Sequence, residues 1–291
     1  MSDVKFVFAG EDTELQRNSV PMLARCFEEW QMFQAAYGNV FPFREISFVA
    51  LNQKDEVVGH VGIMPFDVID ENNNVIRMAG IASVGTDPDY RGRGIAAQLC
   101  RNAAKWAKKN GFDLLPLYTS CNRVYESCGW KNYPMHSISL LNRNFDKNGI
   151  KGRKGSDLTS TEKAFVMNCY DRIGTFSGKV IRSNDNSFHG WDRIFRETFF
   201  DWYVDRSGYA VTFEGYLAEF CALNSDARKL LSGIEKAFLP EKFPQLAFLL
   251  DDDWQITGLN VEPDCWHGEN VMICDLKKSP ENLFYSLVDK F

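Results

Sequence analysis

From Gly92 to Asn110 apolar side chains return every three or four positions. Ile95, Leu99, Ala103, Trp106 and Ala107 fall on one face, and Gln98, Arg101, Lys105, Lys108 and Lys109 fall elsewhere. That period predicts an amphipathic helix with one face in a core. Lys108 and Lys109 suit its negative end, and Gly111 offers a left-handed stop. Upstream the pattern is that of strands. Val4–Ala9, Glu45–Leu51, Val57–Ile69 and Val75–Val84 are rich in β-branched and aromatic residues. Asn72-Asn73-Asn74 between the last two predicts a hairpin turn. Thr13–Trp30 predicts helix, broken at Pro21. Downstream, Asp113–Tyr118 predicts a strand, Asn122–Cys128 a short helix stopped by Gly129, and Trp130–Leu141 extended chain.

Between Asn142 and Ser160 the chain turns polar, basic and glycine-rich, the pattern of a connector. The expected organisation is therefore a first unit over 1–145, a linker over 146–159 and a second unit over 160–291. In the second unit Trp191, Ile194, Phe195, Thr198, Phe199 and Trp202 recur at helical spacing and predict a buried helix. Tyr209–Leu223 and Leu246–Val261 predict strands, with a helix over Ser225–Phe238 between them. Helices and strands mixed in this way predict an α+β chain.

Composition narrows the function classes. The 291 residues are 45% hydrophobic, enough for a substantial core, and the formal net charge of −6 disfavours binding to nucleic-acid phosphates. No stretch reaches the roughly 20 apolar residues of a membrane span, and Met1–Gly10 lacks the basic start and apolar run of a secretory leader. Eight cysteines are scattered without a Cys-x-x-Cys pair. These features predict a reduced, cytoplasmic setting with no membrane partner. His60, His136, His189 and His267 show no metal-ligand spacing, and Cys265, His267 and Cys274 lack a fourth ligand, so no metal site is expected. Asp251-Asp252-Asp253 reads as a solvated turn. His60, on an apolar strand, reads as a half-buried histidine with its hydrogen bonds satisfied.

The chemistry concentrates in Val84-Gly85-Thr86-Asp87-Pro88-Asp89-Tyr90-Arg91-Gly92-Arg93-Gly94-Ile95-Ala96, between a strand and the long helix. Gly92 and Gly94 allow a sharp turn whose N–H groups converge at the positive end of the helix, a site suited to a diphosphate. Arg91 and Arg93 add positive charge. The loop lacks the Gly-x-x-x-x-Gly-Lys-Ser/Thr of a nucleotide-binding P-loop and the downstream acidic residue of a dinucleotide fold. On spacing alone, a basic helix start without a ligand remains the alternative.

Arg91–Ala96 matches the Arg/Gln-x-x-Gly-x-Gly/Ala pattern of the GNAT superfamily of N-acetyltransferases, with an Asp-Pro-x-Tyr lead-in at Asp87–Tyr90. Val124–Trp130 resembles that family's short tyrosine-containing helix. The likeness covers about Val4–Leu141. Gly85–Arg91 and Leu117–Ser120 are more closely similar to the N-terminal domain of Eis-type acetyltransferases, whose second, degenerate GNAT-like domain is the expectation for residues from about 160.

This resemblance implies a GNAT fold: a central mixed, mainly antiparallel sheet flanked by helices, with a further α+β unit. It implies acetyl-coenzyme A as cofactor and a primary amine, on a small molecule or a peptide, as acceptor. Val84, Gly85 and Thr86 would bond the pantetheine arm. Arg91, Gly92, Arg93, Gly94, Ile95 and Ala96 would hold the diphosphate, and Ser120 would lie near the thiol. Tyr125 would act as general acid toward the leaving thiolate; its alternative role is core packing. Met78–Ser83 holds no carboxylate, so the general base is open among a water chain, an acid from another segment and the carboxylate of Phe291. Tyr118 stands where many GNAT proteins have asparagine, a departure that affects the cofactor amide contact. Trp30, Phe33, Tyr37, Phe41 and Phe43, with Glu28 and Glu29, lie where GNAT acceptor pockets form. A coenzyme A-binding regulatory module and a transferase of longer acyl groups are the competing readings.

Overall fold

The structure is a computed structural model. It describes residues 3–41, 45–70, 72–133, 137–142, 145–172, 179–185, 189–213, 216–222, 225–240, 259–264 and 270–277. In chain order the elements are β1 (Lys5–Gly10), α1 (Thr13–Ala24), α2 (Glu28–Tyr37), β2 (Ile46–Leu51), β3 (Val57–Ile69), β4 (Val75–Thr86), α3 (Ile95–Lys109), β5 (Leu114–Thr119), α4 (Asn122–Glu126) and β6 (Lys131–Tyr133). There follow β7 (Ser137–Asn142), α5 (Ser160–Arg172), β8 (Lys179–Val180), α6 (Trp191–Ile194), β9 (Phe200–Asp205), β10 (Gly208–Phe213), β11 (Tyr216–Ala222), β12 (Lys236–Pro240), β13 (Leu259–Asp264) and β14 (Asn270–Asp275).

The main sheet runs β1-β2-β3-β4-β5-β14-β6, with β8 on the far end of β3. All its pairings are antiparallel except β4 with β5. This is the mixed α+β sheet expected. The boundary expected near 145 does not enclose it, because β8 and β14 come from beyond the connector. β14 lies between β5 and β6, with Asn270 opposite Thr119 and Asp275 opposite Leu114. Its Val271, Met272 and Ile273 are buried, so the first core is completed by residues about 140 positions after Lys131. Two small sheets, β11-β10-β9 and β12-β7-β13, make up the rest of the described strands.

α3 lays Ile95, Leu99, Cys100, Ala103 and Ala107 onto one face of the main sheet, against Val58, Val61, Ile63 and Leu115. Gly59 is required there, since an added Cβ would lie 2.7 Å from Ile95 Cγ2. α1 covers the opposite face through Met22 and Leu23, packed on Val49, Leu51 and Val57. Pro21 sits inside α1 rather than ending it, and the break falls at Arg25–Phe27. The helix start is secured by Asp12, whose carboxylate accepts from the N–H groups of Glu14 and Leu15.

The second half departs further from its sequence reading. Trp191 to Trp202 is not one helix: α6 covers Trp191–Ile194, and Phe200 and Trp202 alternate inward on β9. The described residues of Tyr209–Leu223 belong to the antiparallel pair β10 and β11, and Ser225–Gly233 is 3-10 rather than α-helical. Asp251–Asp253, Phe43, His136, Cys265, His267 and Phe291 lie outside the described residues.

Candidate active site

The site begins with an irregularity in β4. The β3–β4 register slips between His60 and Gly62, and Ser83 takes a φ of +50°. Left-handed backbone at a non-glycine residue has to be held by its surroundings. Here His60 does so, with Nδ1 2.9 Å from the Ser83 carbonyl oxygen and Nε2 3.1 Å from Ser47 Oγ. A carbonyl can only accept, so Nδ1 carries the proton and Nε2 accepts from the Ser47 hydroxyl. His60 is fully buried, more deeply than its sequence position suggested.

Beyond the bulge β4 leaves β5. The strands are in register at Met78 opposite Leu114, and by Val84–Thr86 a cavity of about 850 Å³ has opened. Its volume lies within the roughly 300–1,000 Å³ of small-molecule and cofactor sites. Val84, Gly85 and Thr86 form one wall; Tyr90, Arg91, Gly92 and Gly94–Ala97 form the mouth; Cys121, Arg123, Val124, Tyr125 and Ser127 face them, with Cys26 and Phe27 at one end.

Local chemistry shapes the mouth. Asp87 caps the 3-10 turn Pro88–Tyr90 by accepting from Asp89 N–H. Arg25, at the end of α1, donates to Asp87 at 2.6 Å and to Asp89 at 3.0 Å, tying this loop to the helix. Gly92 and Gly94 then take φ of +76° and +73°, and α3 starts at Gly94 without a side-chain cap. The first N–H groups of a 15-residue helix therefore point into the mouth beside Arg91.

Not every expected residue belongs to the cavity. Arg93 turns away, stacking over the Tyr90 ring at 4.7 Å and donating to the Asp89 carbonyl. Ser120 is exposed and not part of the lining. It falls one residue past the end of β5, whose last residue, Thr119, is buried. The Thr86 carbonyl is already engaged by Cys26 Sγ at 3.2 Å and Arg91 Nε at 3.3 Å. The buried Thr86 Oγ1 has no hydrogen-bond partner among the described residues, and such a group calls for a partner from a ligand or water. Cys26, Phe27, Cys121 and Arg123 were not anticipated, since nothing in their local pattern links them to the loop.

Tyr125 sits in the wall on α4, 8% exposed, its ring 6.4 Å from that of Trp130. Burial, with Cys100 nearby, pushes its phenol above the ordinary value, and Thr119 offsets only part of this. The phenol thus keeps its proton throughout the neutral range. Burial likewise raises the Cys26 thiol, which Arg91 only partly opposes.

Behind the Gly85 wall lies a second group that the sequence reading missed. Glu45 is fully buried over Gly62, and neither carboxyl oxygen has a hydrogen-bond partner among the described residues. Oε1 lies 3.9 Å from His60 Nε2. Loss of hydration raises the Glu45 carboxyl to about 8, and the nearby Ser83 side chain offsets little of this. The same burial lowers His60 to about 4, against the Ser83 carbonyl bond. The only sequence signal was polar Glu45 and Ser47 sharing one face of an apolar strand.

These shifts predict a pH dependence of stability. Glu45 holds a proton in the folded chain that the unfolded chain loses above about 4.3, so its contribution falls as pH rises toward 8. His60 is neutral when folded but binds a proton below about 6.5 when unfolded, so its contribution falls as pH drops toward 4. The two slopes oppose each other from about 4.5 to 6.5. Between 6.5 and 8 Glu45 alone changes, and denaturant unfolding should lose about 2 kcal/mol across that interval. A flat or rising stability there would contradict the burial of Glu45.

Residues 6–132 match the model of a GNAT acetyltransferase domain. This part of the chain is similar to a GNAT domain. The likeness of solved structures extends past it. A conserved protein of unknown function from Enterococcus faecalis V583 is 16% identical with a TM-score of 0.65, over 94% of this chain and 72% of that one. A GCN5-related N-acetyltransferase from Kribbella flavida is 16% identical with a TM-score of 0.61, over 93% and 70%. Eis1 from Mycobacterium abscessus is 15% identical with a TM-score of 0.60, over 94% and 74%. At these identities the likeness is one of fold. No curated protein sequence matches the chain. Among the described residues no helix is long and apolar enough to cross a membrane, and no cluster of His, Cys, Asp and Glu is placed to hold a metal ion.

Proposed function

We propose that the protein is an acetyl-coenzyme A-dependent N-acetyltransferase that acts on a primary amine of a small molecule or peptide. The observation that carries this is the shared cavity: the wall Val84–Thr86, the uncapped start of α3 and the buried Tyr125 all face one volume. Acetyl-coenzyme A, when bound, supplies an activated acetyl thioester and a thiolate leaving group. The N–H groups at 92–96, with Arg91, would hold its diphosphate. The backbone at Val84–Gly85 flanks the position of the thioester carbonyl. Tyr125 keeps its proton until negative charge develops on sulfur, then donates it. Arg93 is left out of this set, because its guanidinium is spent on Tyr90 and Asp89. Ser120 is left out because it is exposed.

The acceptor side is the end bordered by Phe27. Trp30 and Phe41 pack with it, and the Phe41 ring lies 5.5 Å from His60. An aromatic wall of this kind suits the hydrocarbon part of an amine, with Glu28 and Glu29 on the first turn of α2 for its charge. Release of free thiol from acetyl-coenzyme A with a panel of small amines and lysine peptides tests the proposal. Tyr125→Phe should lower kcat about 100-fold, within the range of a lost general acid, while coenzyme A affinity stays within about twofold. Unchanged turnover would remove Tyr125 from the chemistry. Tight coenzyme A binding with no turnover of any amine would mark a binding module instead.

A further inference from the structure

An amine that attacks a thioester must lose a proton, and among the described residues the cavity wall has no group suited to take it. Among the described residues its lining contains neither carboxylate nor histidine; the titratable side chains there are Cys26, Tyr90, Arg91, Cys121, Arg123 and Tyr125, and Tyr90 lies under the Arg93 guanidinium. Tyr125 is committed to the sulfur. The arginines stay charged, and Cys26 is turned toward the Thr86 carbonyl. A buried carboxyl, Glu45, stands close behind this wall, 3.9 Å from His60 Nε2.

We propose that Glu45 is the proton acceptor, reached from the α1–α2 side of the sheet past His60 and Gly85; the inference rests on the acyl-transfer reading above. Three observations converge. His60 is paired with Gly85 across the β3–β4 ladder, Gly85 is cavity wall, and the Glu45 carboxyl lies 3.9 Å from His60 Nε2, so one side chain links it to the wall. Glu45, Ser47 and His60 share the sheet face that α1 covers, where Gln16 Nε2 is bonded to the Glu45 carbonyl and Ser47 Oγ. This is also the face of Phe41 and the aromatic acceptor wall. Finally, the Glu45 carboxyl is buried with only the Ser83 side chain acting on it and no full hydrogen bond among the described residues, whereas the bulge is already held by the bonds of His60 to Ser83 and Ser47. A buried carboxyl with no full hydrogen bond, kept at a cost in desolvation, calls for another use.

The step balances as follows. The nitrogen lone pair forms the N–C bond while the thioester C–S bond breaks. The nitrogen proton passes to Glu45 Oε through one bridging water, and the Tyr125 proton passes to the departing sulfur. Solvent then returns a proton to Tyr125 and removes one from Glu45. Gln16 from α1, Ser47 from β2, His60 from β3 and Ser83 from β4 face the carboxyl, and His60 is the titratable group among them. His60 is neutral throughout the working range. An acceptor near 8 is matched to removing an amine proton at mildly alkaline pH.

The test compares the full chain with Glu45→Gln and Glu45→Asp. For the parent, kcat/KM should rise with pH to a plateau above about 8. Glu45→Gln should be slower by about 100-fold or more and lose that limb, with coenzyme A affinity unchanged. Glu45→Asp should keep the limb at a shifted midpoint. With no ligand present, the parent's melting temperature should fall between pH 6.5 and 8.5 and that of Glu45→Gln should not. A parent-like pH–rate profile in Glu45→Gln overturns the proposal. If Glu45→Gln does not fold, an unmoved midpoint in Glu45→Asp overturns it just as well. If the parent releases thiol with no amine, the acyl-transfer reading fails and this one with it, which sets that outcome apart from a failure of Glu45 alone.

Discussion

Gly94→Glu should abolish coenzyme A binding, weakening it by more than about 100-fold, or roughly 3 kcal/mol. Two effects add. Gly94 has φ +73°, and a residue with a side chain pays about 1–2 kcal/mol to stay there. The new carboxylate also stands at the start of α3, where the proposed diphosphate would meet the N–H groups, so attraction becomes repulsion. Gly92→Ala is the control. Gly92 shares the positive φ but an added Cβ would meet nothing within 4 Å, so only backbone strain is added and binding should fall far less. Calorimetric titration of both variants with coenzyme A decides the matter. An affinity unaffected in Gly94→Glu would mean that the mouth of α3 does not hold the cofactor.

The largest expected loss of stability is in the second half, for Glu219→Ala. Arg182 and Glu219 form a two-pronged pair whose side chains are 0% and 5% exposed, and the Tyr209 hydroxyl donates to the same carboxylate. The guanidinium also lies 4.0 Å from the Tyr170 ring and 4.7 Å from that of Trp191. Taking away the carboxylate removes the two-pronged partner of a cation whose side chain is wholly buried. Removal of one partner from a buried pair costs about 3–5 kcal/mol. Urea unfolding of the variant measures the loss. A change below about 1 kcal/mol would show that the pair is hydrated in solution.

The first half of the fold was legible because its signals are local. β3 spans the predicted Val57–Ile69, the Asn72–Asn74 turn joins β3 to β4, and α3 carries the predicted buried stripe. The second half was less so. Phe200 and Trp202 recur at a spacing that suits a helix face, but the alternation of Phe200, Trp202 and Val204 suits a strand as well, and pairing with Val211 and Phe213 selected the strand. In the candidate site, the glycine loop and Tyr125 could be read directly, whereas Arg93 and Ser120 could not be told from their neighbours. Which arginine faces the cavity depends on the Tyr90 ring that Arg93 stacks against, and Ser120 falls just past the end of β5, where it is exposed.

The amino-acid order by itself determined the uncapped, glycine-flanked start of α3, since left-handed φ and free N–H groups follow from residues adjacent in the chain. Only the tertiary structure decided that β14 completes the sheet between β5 and β6, and that Glu45 is sealed beside His60. Both outcomes depend on surfaces brought together from distant segments. Strand pairing across some 140 residues leaves no periodic trace, and a carboxyl group changes its proton affinity only when neighbouring elements remove its water.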